Sequence, residues 1–163
     1  MDTAAETKQY LTFRLTDETF AVNVAKVREI LDFINITKVP QTPGFMRGVI
    51  NLRGSVVPVV DMKMKFGMDK TEKTVDTCII VMEVTLDGET TIVGALADSV
   101  EEVLELEPDQ IEPPPRIGMK LNTDFISGMG KLGEEFVIIL DTDRIFTFEE
   151  VEALGEMGES DAA

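Results

Sequence analysis

The sequence predicts an all-β fold with short helices, and three features of the chain support this prediction. Apolar and polar residues alternate over short segments such as 9–15 and 20–24, a pattern typical of half-buried strands. Turn signals such as Asp17-Glu18 and Asp87-Gly88 separate these segments at short intervals. The stretches with a helical spacing of apolar residues are short. Many short strands at close spacing favour a β-barrel architecture.

The spacing changes at Val24, where apolar residues begin to recur at every third or fourth position. This spacing predicts a short helix over residues 24–31. Asn23 is suited to cap the N-terminus of this helix, because its side chain accepts a hydrogen bond from the first turn. On such a helix Val27 and Ile30 share one face, and the aliphatic residues of that face serve either the core or a binding partner.

Two apolar runs, residues 49–52 and 56–60, flank Arg53-Gly54-Ser55 and predict a hairpin. Pro58 lacks a backbone donor, which indicates an edge strand or a bulge at this position. Residues 62–66 are compatible with one further helical turn.

Residues 68–76 are rich in charge and poor in apolar side chains, which predicts a flexible loop. A strongly apolar strand over 78–84 follows, and the Asp87-Gly88 turn predicts a hairpin into residues 91–96. The loop indicates two lobes, but the pattern does not determine how the strands are divided between them.

The proline cluster at 113–115 predicts an extended, irregular segment. A last hairpin is expected from residues 125–131 and 136–140, and the apolar spacing over 147–157 predicts a modest amphipathic helix. The expected organisation is a flexible tail over residues 1–8, one domain over 9–157 and a disordered tail over 158–163.

The composition limits the possible functions. The 163 residues include 15 basic and 31 acidic side chains, a formal net charge of −16, which argues against binding to nucleic acid or to anionic membrane surfaces. No apolar run approaches the roughly 20 residues that span a bilayer, and residues 1–7 do not resemble a signal peptide. A cytoplasmic protein without membrane insertion is therefore expected. The single cysteine, Cys78, lies in an apolar run and is expected to fill the core.

No catalytic or cofactor constellation can be assembled from the sequence. The chain has no histidine, which excludes Ser-His-Asp and Cys-His catalysis and histidine metal sites. Adjacent acids such as Glu101-Glu102 and Glu134-Glu135 lie near expected turns, where a solvated surface explains them. We therefore expect a protein that is not an enzyme and holds neither metal nor cofactor.

Two formal motif matches fail on their structural context. Residues 128–133 fit G-x-G-x-x-G, but a strand follows them where the dinucleotide fingerprint needs a helix. Asp141 and Asp143 begin like a calcium loop, but Phe146 occupies the position that needs a glycine.

The remaining features indicate surface recognition. Arg53 lies at the expected tip of an apolar hairpin with no acidic neighbour in sequence, so its guanidinium is expected to be available to a carboxylate or carbonyl of a partner. A solvated turn arginine is the alternative explanation.

Several segments resemble the CheW family of chemotaxis coupling proteins. The most specific is GVINLRG at residues 48–54, followed by Pro58. Similar stretches, in the same order along residues 9–157, are 20–30, 39–40, 45–54, 57–61, 93–100 and 126–130.

The resemblance implies two SH3-like β-barrel lobes that share a core, with a C-terminal helix and a groove between the lobes. It implies a non-enzymatic scaffold that binds the cytoplasmic tip of methyl-accepting chemotaxis receptors and the regulatory domain of the histidine kinase CheA. Such an adaptor would be recruited to membrane-associated receptor arrays. The alternative is a CheW-like module of a non-flagellar chemosensory pathway, such as one that controls pili.

The resemblance also implies a receptor-binding region, whereas the kinase-binding surface stays unassigned. A groove that includes Val27 and Ile30 would accept a receptor helix by its apolar face. Ile30 is expected at the receptor from this apolar face, and the residues expected there from the resemblance are Val27, Glu29, Arg53, Cys78, Gly94, Val100 and Val103.

Overall fold

A computed structural model describes residues 8–40, 44–86, 88–113 and 125–145. It contains eleven strands and one short helix: β1 Lys8–Leu15, β2 Glu18–Asn23, β3 Val27–Asp32, β4 Met46–Leu52, β5 Ser55–Asp61, α1 Met62–Lys65, β6 Cys78–Leu86, β7 Glu89–Ala97, β8 Ser99–Leu106, β9 Ile111–Glu112, β10 Ile126–Leu132 and β11 Glu135–Leu140. Three 3₁₀ turns cover Val24–Lys26, Pro108–Gln110 and Thr142–Arg144. None of the helices in these ranges is long and apolar enough to cross a membrane.

The strands form two sheets, each of which makes one lobe. Lobe 1 has the order β8-β1-β2-β11-β10-β9, and lobe 2 has the order β3-β6-β7-β5-β4. The chain therefore enters lobe 2 after β2 and returns to lobe 1 after β7. In lobe 2 the segment that follows the edge strand β3 reaches the other edge strand, β4, where Thr37 and Val49 exchange two backbone hydrogen bonds of 2.8 Å. In lobe 1 only residues 107–110, which include the 3₁₀ turn, connect the edge strands β8 and β9, so the two edges of the sheet lie near each other.

Three apolar clusters explain why the sheets pack as they do. One fills lobe 1 around Val137 and Ile139, and a second fills lobe 2 around Val59, Ile79 and Leu96. The third, the shared core, lies between the sheets and draws buried residues from both of them. Its members include Leu11, Phe13, Phe20 and Val22 from lobe 1 and Val60, Ile80, Met82 and Val93 from lobe 2.

Strand β6 shows how the sequence encodes this arrangement. Ile79 and Val81 point into lobe 2, whereas Cys78, Ile80 and Met82 point into the shared core. A strand that is buried on both faces needs a continuous apolar run rather than an alternating one. The predicted all-β fold, with two SH3-like lobes sharing a core, is confirmed.

A row of aromatic rings crosses the shared core. Phe13 and Phe20 of lobe 1 lie 6.2 Å apart between ring centroids, and Phe66 lies 6.0 Å from Phe20 and 4.5 Å from Phe125. The single turn of α1 thus places Phe66, a residue of lobe 2, between two rings of lobe 1. Stacked pairs of this kind add stability beyond the area that they bury.

The predicted helix over residues 24–31 was wrong. Asn23 does cap a helical turn, since its side chain accepts a hydrogen bond of 2.9 Å from the amide of Ala25, but this 3₁₀ turn ends at Lys26. Residues 27–32 continue as β3, which is paired with β6. Pairing with an apolar neighbouring strand outweighs the weak preference of a short segment for helix.

Pro58 was expected on an edge strand or at a bulge, but β5 is an interior strand. Its partner Val49 turns its own backbone groups away from β5, toward Thr37. The nitrogen of Pro58 therefore faces β7, where the parallel ladder begins only at Val59. No ladder hydrogen bond is lost, which explains why the sheet tolerates the proline.

The other predictions for this part of the fold have mixed outcomes. The hairpins at Arg53-Gly54, at Gly88 and at Gly133, the strand over 78–84 and the helical turn after Asp61 are confirmed. Lys8, assigned to a tail, begins β1. The predicted tails over 1–7 and 158–163, most of the proline cluster and the helix over 147–157 lie outside the described residues.

The loop over 68–76 has no regular secondary structure, yet it is anchored at Thr71. The fully buried carboxylate of Asp61 accepts hydrogen bonds from the Thr71 amide at 2.9 Å and its hydroxyl at 2.8 Å. Asp61 also accepts from Arg47 at 3.1 Å and from two amides of α1, those of Lys63 and Met64. One carboxylate thus holds β4, α1 and the loop together.

We predict that Asp61→Ala destabilises the protein by about 3–5 kcal/mol, because it leaves Arg47 and several amides without their partner in a buried site. Urea denaturation followed by circular dichroism measures this loss. The control is Asp69→Ala at an exposed position of the same loop, for which a change within about 0.5 kcal/mol is expected. A loss below about 1 kcal/mol for Asp61→Ala would contradict this role.

Candidate functional site

The candidate site is built on β3, which is an edge strand of lobe 2. The pairing of β3 with β6 shifts by one residue between Val27 and Glu29, so that Arg28 forms a bulge. As a result Val27 and Ile30 both lie opposite residues of β6 that face the shared core, Met82 and Ile80. The two residues share a face, as the sequence predicts, but the cause is a bulged strand and not a helix.

Val27 and Ile30 differ in exposure. Val27 is half-buried and packs against the shared core, whereas Ile30 is 44 % exposed. Ile30 therefore presents apolar surface at the edge of lobe 2. The same strand carries Arg28, which forms an ion pair with Glu83 at 3.0 Å. An aliphatic side chain at a rim of charged groups is a common element of protein–protein contacts.

The hairpin between β4 and β5 brings a second part of the site to β3. Its two-residue turn, Arg53-Gly54, has positive φ angles of 50° and 88°, as a type I′ turn requires. The side chain of Asn51 accepts a hydrogen bond of 2.8 Å from the amide of Gly54 and fixes the turn. Arg53 is thereby held at the tip, where 73 % of its side chain is exposed.

Arg53 has no acidic neighbour in sequence, but the fold places Glu29 against it. Its guanidinium donates two hydrogen bonds to the carboxylate of Glu29, one of them at 3.3 Å, and the groups form an ion pair. The hydrogen bond from Arg53 and its positive charge lower the pKa of Glu29, and the same pair raises the pKa of Arg53. Two residues 24 positions apart in sequence thus form one bidentate unit on the surface.

Glu29 and Gly94 lie in one row across the sheet. Glu29 is opposite Val81, and Val81 is opposite Gly94 in β7. Gly94 is buried, and a Cβ atom there would come within 2.8 Å of the Ile79 side chain. Its role in this structure is close packing beneath the site, since a larger residue would displace Ile79.

Cys78 is buried in the shared core, opposite Asp32 at the far end of β3. Burial, together with the negative charge of Asp32, raises the pKa of the Cys78 thiol to about 11. The thiol is therefore neutral near pH 7 and has little nucleophilic character. Cys78 thus fills space in the core, as the sequence predicts, and its role in receptor binding stays a prediction.

Val100 and Val103 belong to β8, the edge strand of lobe 1. Val100 is half-buried against the shared core, whereas Val103 is 51 % exposed. Of the predicted receptor-binding residues, the structure joins Glu29 and Arg53 directly and places Val27 and Ile30 on the same strand. Val100 and Val103 lie on the other lobe.

Asn51 and Glu83 were not identified from the sequence. Asn51 could have been found by its spacing, because an Asn three residues before a glycine often caps a turn with its side chain. Glu83 has no such signal, since its contact with Arg28 depends on the register between β3 and β6.

Within residues 8–40, 44–86, 88–113 and 125–145, no group of three or more potential ligands is arranged to hold a metal ion. The acids that begin like a calcium loop have structural partners instead. Asp141 caps the 3₁₀ turn at 142–144, and Asp143 accepts hydrogen bonds from Thr85 and Lys26. The glycines that match G-x-G-x-x-G lie in the β10–β11 hairpin and are followed by a strand, as the sequence predicts.

Known proteins match this chain over most of its length. A family described as the CheW-like domain matches residues 9–150. A chemotaxis protein CheW from Klebsiella aerogenes is 33 % identical over 153 residues, which cover 94 % of this chain and 90 % of the relative. A chemotaxis protein CheW from Rhizobium meliloti is 35 % identical over 146 residues, which cover 90 % and 92 %.

A solved structure agrees with the fold. The scaffolding protein TtCheW from Thermoanaerobacter tengcongensis superposes with a TM-score of 0.78 at 34 % sequence identity. The alignment covers 89 % of this chain and 96 % of that protein.

The Glu29–Arg53 pair yields a prediction about pH. The pKa of Glu29 is lowered in the folded protein, so the pair contributes stability above the ordinary carboxyl pKa and loses it as pH falls through the lowered value. Titration of the Glu29 carboxyl carbon by NMR is expected to show a pKa below its usual range. In Arg53→Gln, which keeps a side chain at the same backbone position, this pKa is expected to rise. An equal pKa in both proteins would show that the pair does not persist in solution.

Proposed function

The chain belongs to the CheW-like domain family, and on that premise we propose that it is a non-enzymatic adaptor coupling methyl-accepting chemotaxis receptors to the histidine kinase CheA. The adaptor binds the cytoplasmic tip of the receptors and the regulatory domain of the kinase, and it acts in the membrane-associated receptor arrays. Its contribution is to let receptors control the activity of the kinase.

The observation that carries this proposal is the surface made by Glu29, Ile30 and Arg53 at one edge of lobe 2. Ile30 offers exposed apolar surface on one face of the edge strand β3. Arg53 is held at the same edge by its bonds to Glu29, the preceding residue of that strand. A guanidinium has more N–H donors than these bonds occupy, so Arg53 can still donate to a partner carboxylate or carbonyl. A receptor helix that lays an apolar face on Ile30 would bring its polar groups to Arg53.

Two features favour an adaptor over an enzyme. The side chains at the surface are an aliphatic group and charged pairs, which suit binding and do not form a nucleophile with a base. Among the described residues the buried charged groups, Asp61 and Lys63, are bonded to structural partners.

We predict that Arg53→Ala abolishes receptor control of kinase activity while the fold persists. Arg53 is largely exposed, so the melting temperature is expected to change by no more than about 2 °C. Loss of a charge-assisted contact to the receptor is expected to weaken its binding by about tenfold or more. The measurements are a thermal melt, a binding titration with receptor fragments, and kinase activity in assemblies of receptor, kinase and adaptor.

The matched control is Arg144→Ala. Arg144 is similarly exposed, at 68 %, and is also paired with an acid, Asp141 at 3.6 Å, but it lies in lobe 1. It is expected to retain receptor control. Normal kinase activation by Arg53→Ala would remove Arg53 from the site, and a large drop in its melting temperature would make its role structural.

A further inference from the structure

Two aspartates join the lobes, one at each place where the chain passes between them. The first passage, at residues 24–26, leads from β2 in lobe 1 to β3 in lobe 2. The second, at Asp98, leads from β7 in lobe 2 back to β8 in lobe 1. At each passage the carboxylate of an aspartate accepts hydrogen bonds: that of Asp98 at the second, and that of Asp143 at the first.

Asp98 forms the first of these connections. Its Oδ2 accepts a hydrogen bond of 2.6 Å from the amide of Thr16, in the β1–β2 turn of lobe 1. The same oxygen accepts a hydrogen bond of 3.2 Å from Nζ of Lys63, in α1 of lobe 2. Lys63 is buried, so this ion pair is shielded from solvent on its side.

Asp143 forms the second connection in the same manner. It lies in the 3₁₀ turn that follows β11 in lobe 1, and its Oδ1 accepts a hydrogen bond of 2.8 Å from the amide of Thr85 in β6 of lobe 2. Its Oδ2 accepts one of 3.3 Å from Nζ of Lys26, in the first passage. Each aspartate thus binds one backbone amide and one lysine, and each spans the two lobes.

The backbone conformation of Thr16 indicates that its hydrogen bond with Asp98 restrains the β1–β2 turn. Thr16 has a φ of 61°, a left-handed conformation that is unfavourable for a β-branched residue. Such a conformation persists only where the surroundings hold it, and the hydrogen bond that the Thr16 amide donates to Asp98 is one such restraint.

Apolar burial and polar bridges contribute differently to the angle between the lobes. Burial of apolar surface is non-directional and roughly proportional to the area removed from water, so buried area by itself does not distinguish between similar angles of the lobes. Charge-assisted hydrogen bonds, in contrast, are strong only within a narrow range of distance and angle. The polar groups that bridge the lobes are therefore suited to select one orientation from several that bury similar area.

We propose that Asp98 and Asp143 form an orientation clasp, a pair of bridges that fixes the angle between the lobes. The clasp keeps the surface of Glu29, Ile30 and Arg53 on lobe 2 in a constant position relative to the exposed face of lobe 1. In an adaptor, this rigidity transmits the position of one partner to the other.

The test measures the distance between the lobes directly and does not depend on the proposed function. Spin labels are attached to cysteines introduced at Glu102 in β8 and Glu89 in β7, which are exposed, with Cys78 replaced by alanine. Pulsed electron–electron double resonance then gives the distribution of distances between the two labels in the full chain. The variants are Asp98→Ala, Asp143→Ala and the double variant.

We expect a single narrow distribution for the parent and one that is about twofold wider, or shifted, for the double variant. The control is Glu112→Gln, which breaks the ion pair with Lys131 at 2.6 Å inside lobe 1 and is expected to leave the distribution unchanged. A folded double variant with the distribution of the parent would overturn the proposal and assign the orientation to the shared core.

If the alanine variants do not fold, Lys63→Met and Lys26→Met remove the ion pairs and retain both bonds to backbone amides. A widened distribution in this pair supports the clasp, and an unchanged one overturns it. Kinase activation by the same proteins is a separate readout that rests on the proposed function. A widened distribution with normal activation would keep the clasp and reject its role in coupling.

Discussion

The shared core between the two sheets is the constraint on which the rest of the structure depends. Phe13, Phe20 and Val22 of lobe 1 and Ile80 and Met82 of lobe 2 are buried against one another, in addition to the residues that fill each lobe. Either lobe alone would expose one apolar face of its sheet to water, at a cost of about 25 cal/mol for each Å². The two lobes therefore form one folding unit, although the chain builds lobe 1 from two separated segments.

The packing of the lobes also determines which part of the lobe 2 sheet stays exposed for binding. Lobe 1 covers the centre of the lobe 2 sheet, and the cover ends at β3, so that Val27 is half-buried while Ile30 stays exposed. The β4–β5 hairpin reaches the same edge and places Arg53 against Glu29. The proposed receptor surface is thus the uncovered margin of a sheet whose other parts are occupied by the core.

Much of the fold was accessible from the sequence because local signals and tertiary packing agree. The hairpin at Arg53-Gly54 and the apolar strand over 78–84 were both found from residue pattern alone. The helix over 24–31 failed for an instructive reason. A bulge at Arg28 places Val27 and Ile30 on one face of a strand, and this spacing of three is the same as on a helix.

The candidate site was less accessible, because it depends on contacts between distant segments. Arg53 was identified as an exposed hairpin residue, but its partner Glu29 lies in another strand, and only the closure of lobe 2 brings them together. Cys78 and Gly94 were assigned to the site through a family resemblance, and the structure places both inside the protein. Their role in receptor binding stays a prediction, and their burial indicates that they would act by supporting the sheet.

The dependence of both lobes on the shared core is tested most directly by native-state hydrogen exchange of Ile80→Ala. Ile80 is fully buried and faces the shared core from lobe 2. Its truncation is expected to lower the protection of the slowest-exchanging amides by about 2–5 kcal/mol, and by the same amount in both lobes. A loss of protection confined to lobe 2, with lobe 1 unchanged, would show that the lobes are separate folding units and would contradict this account.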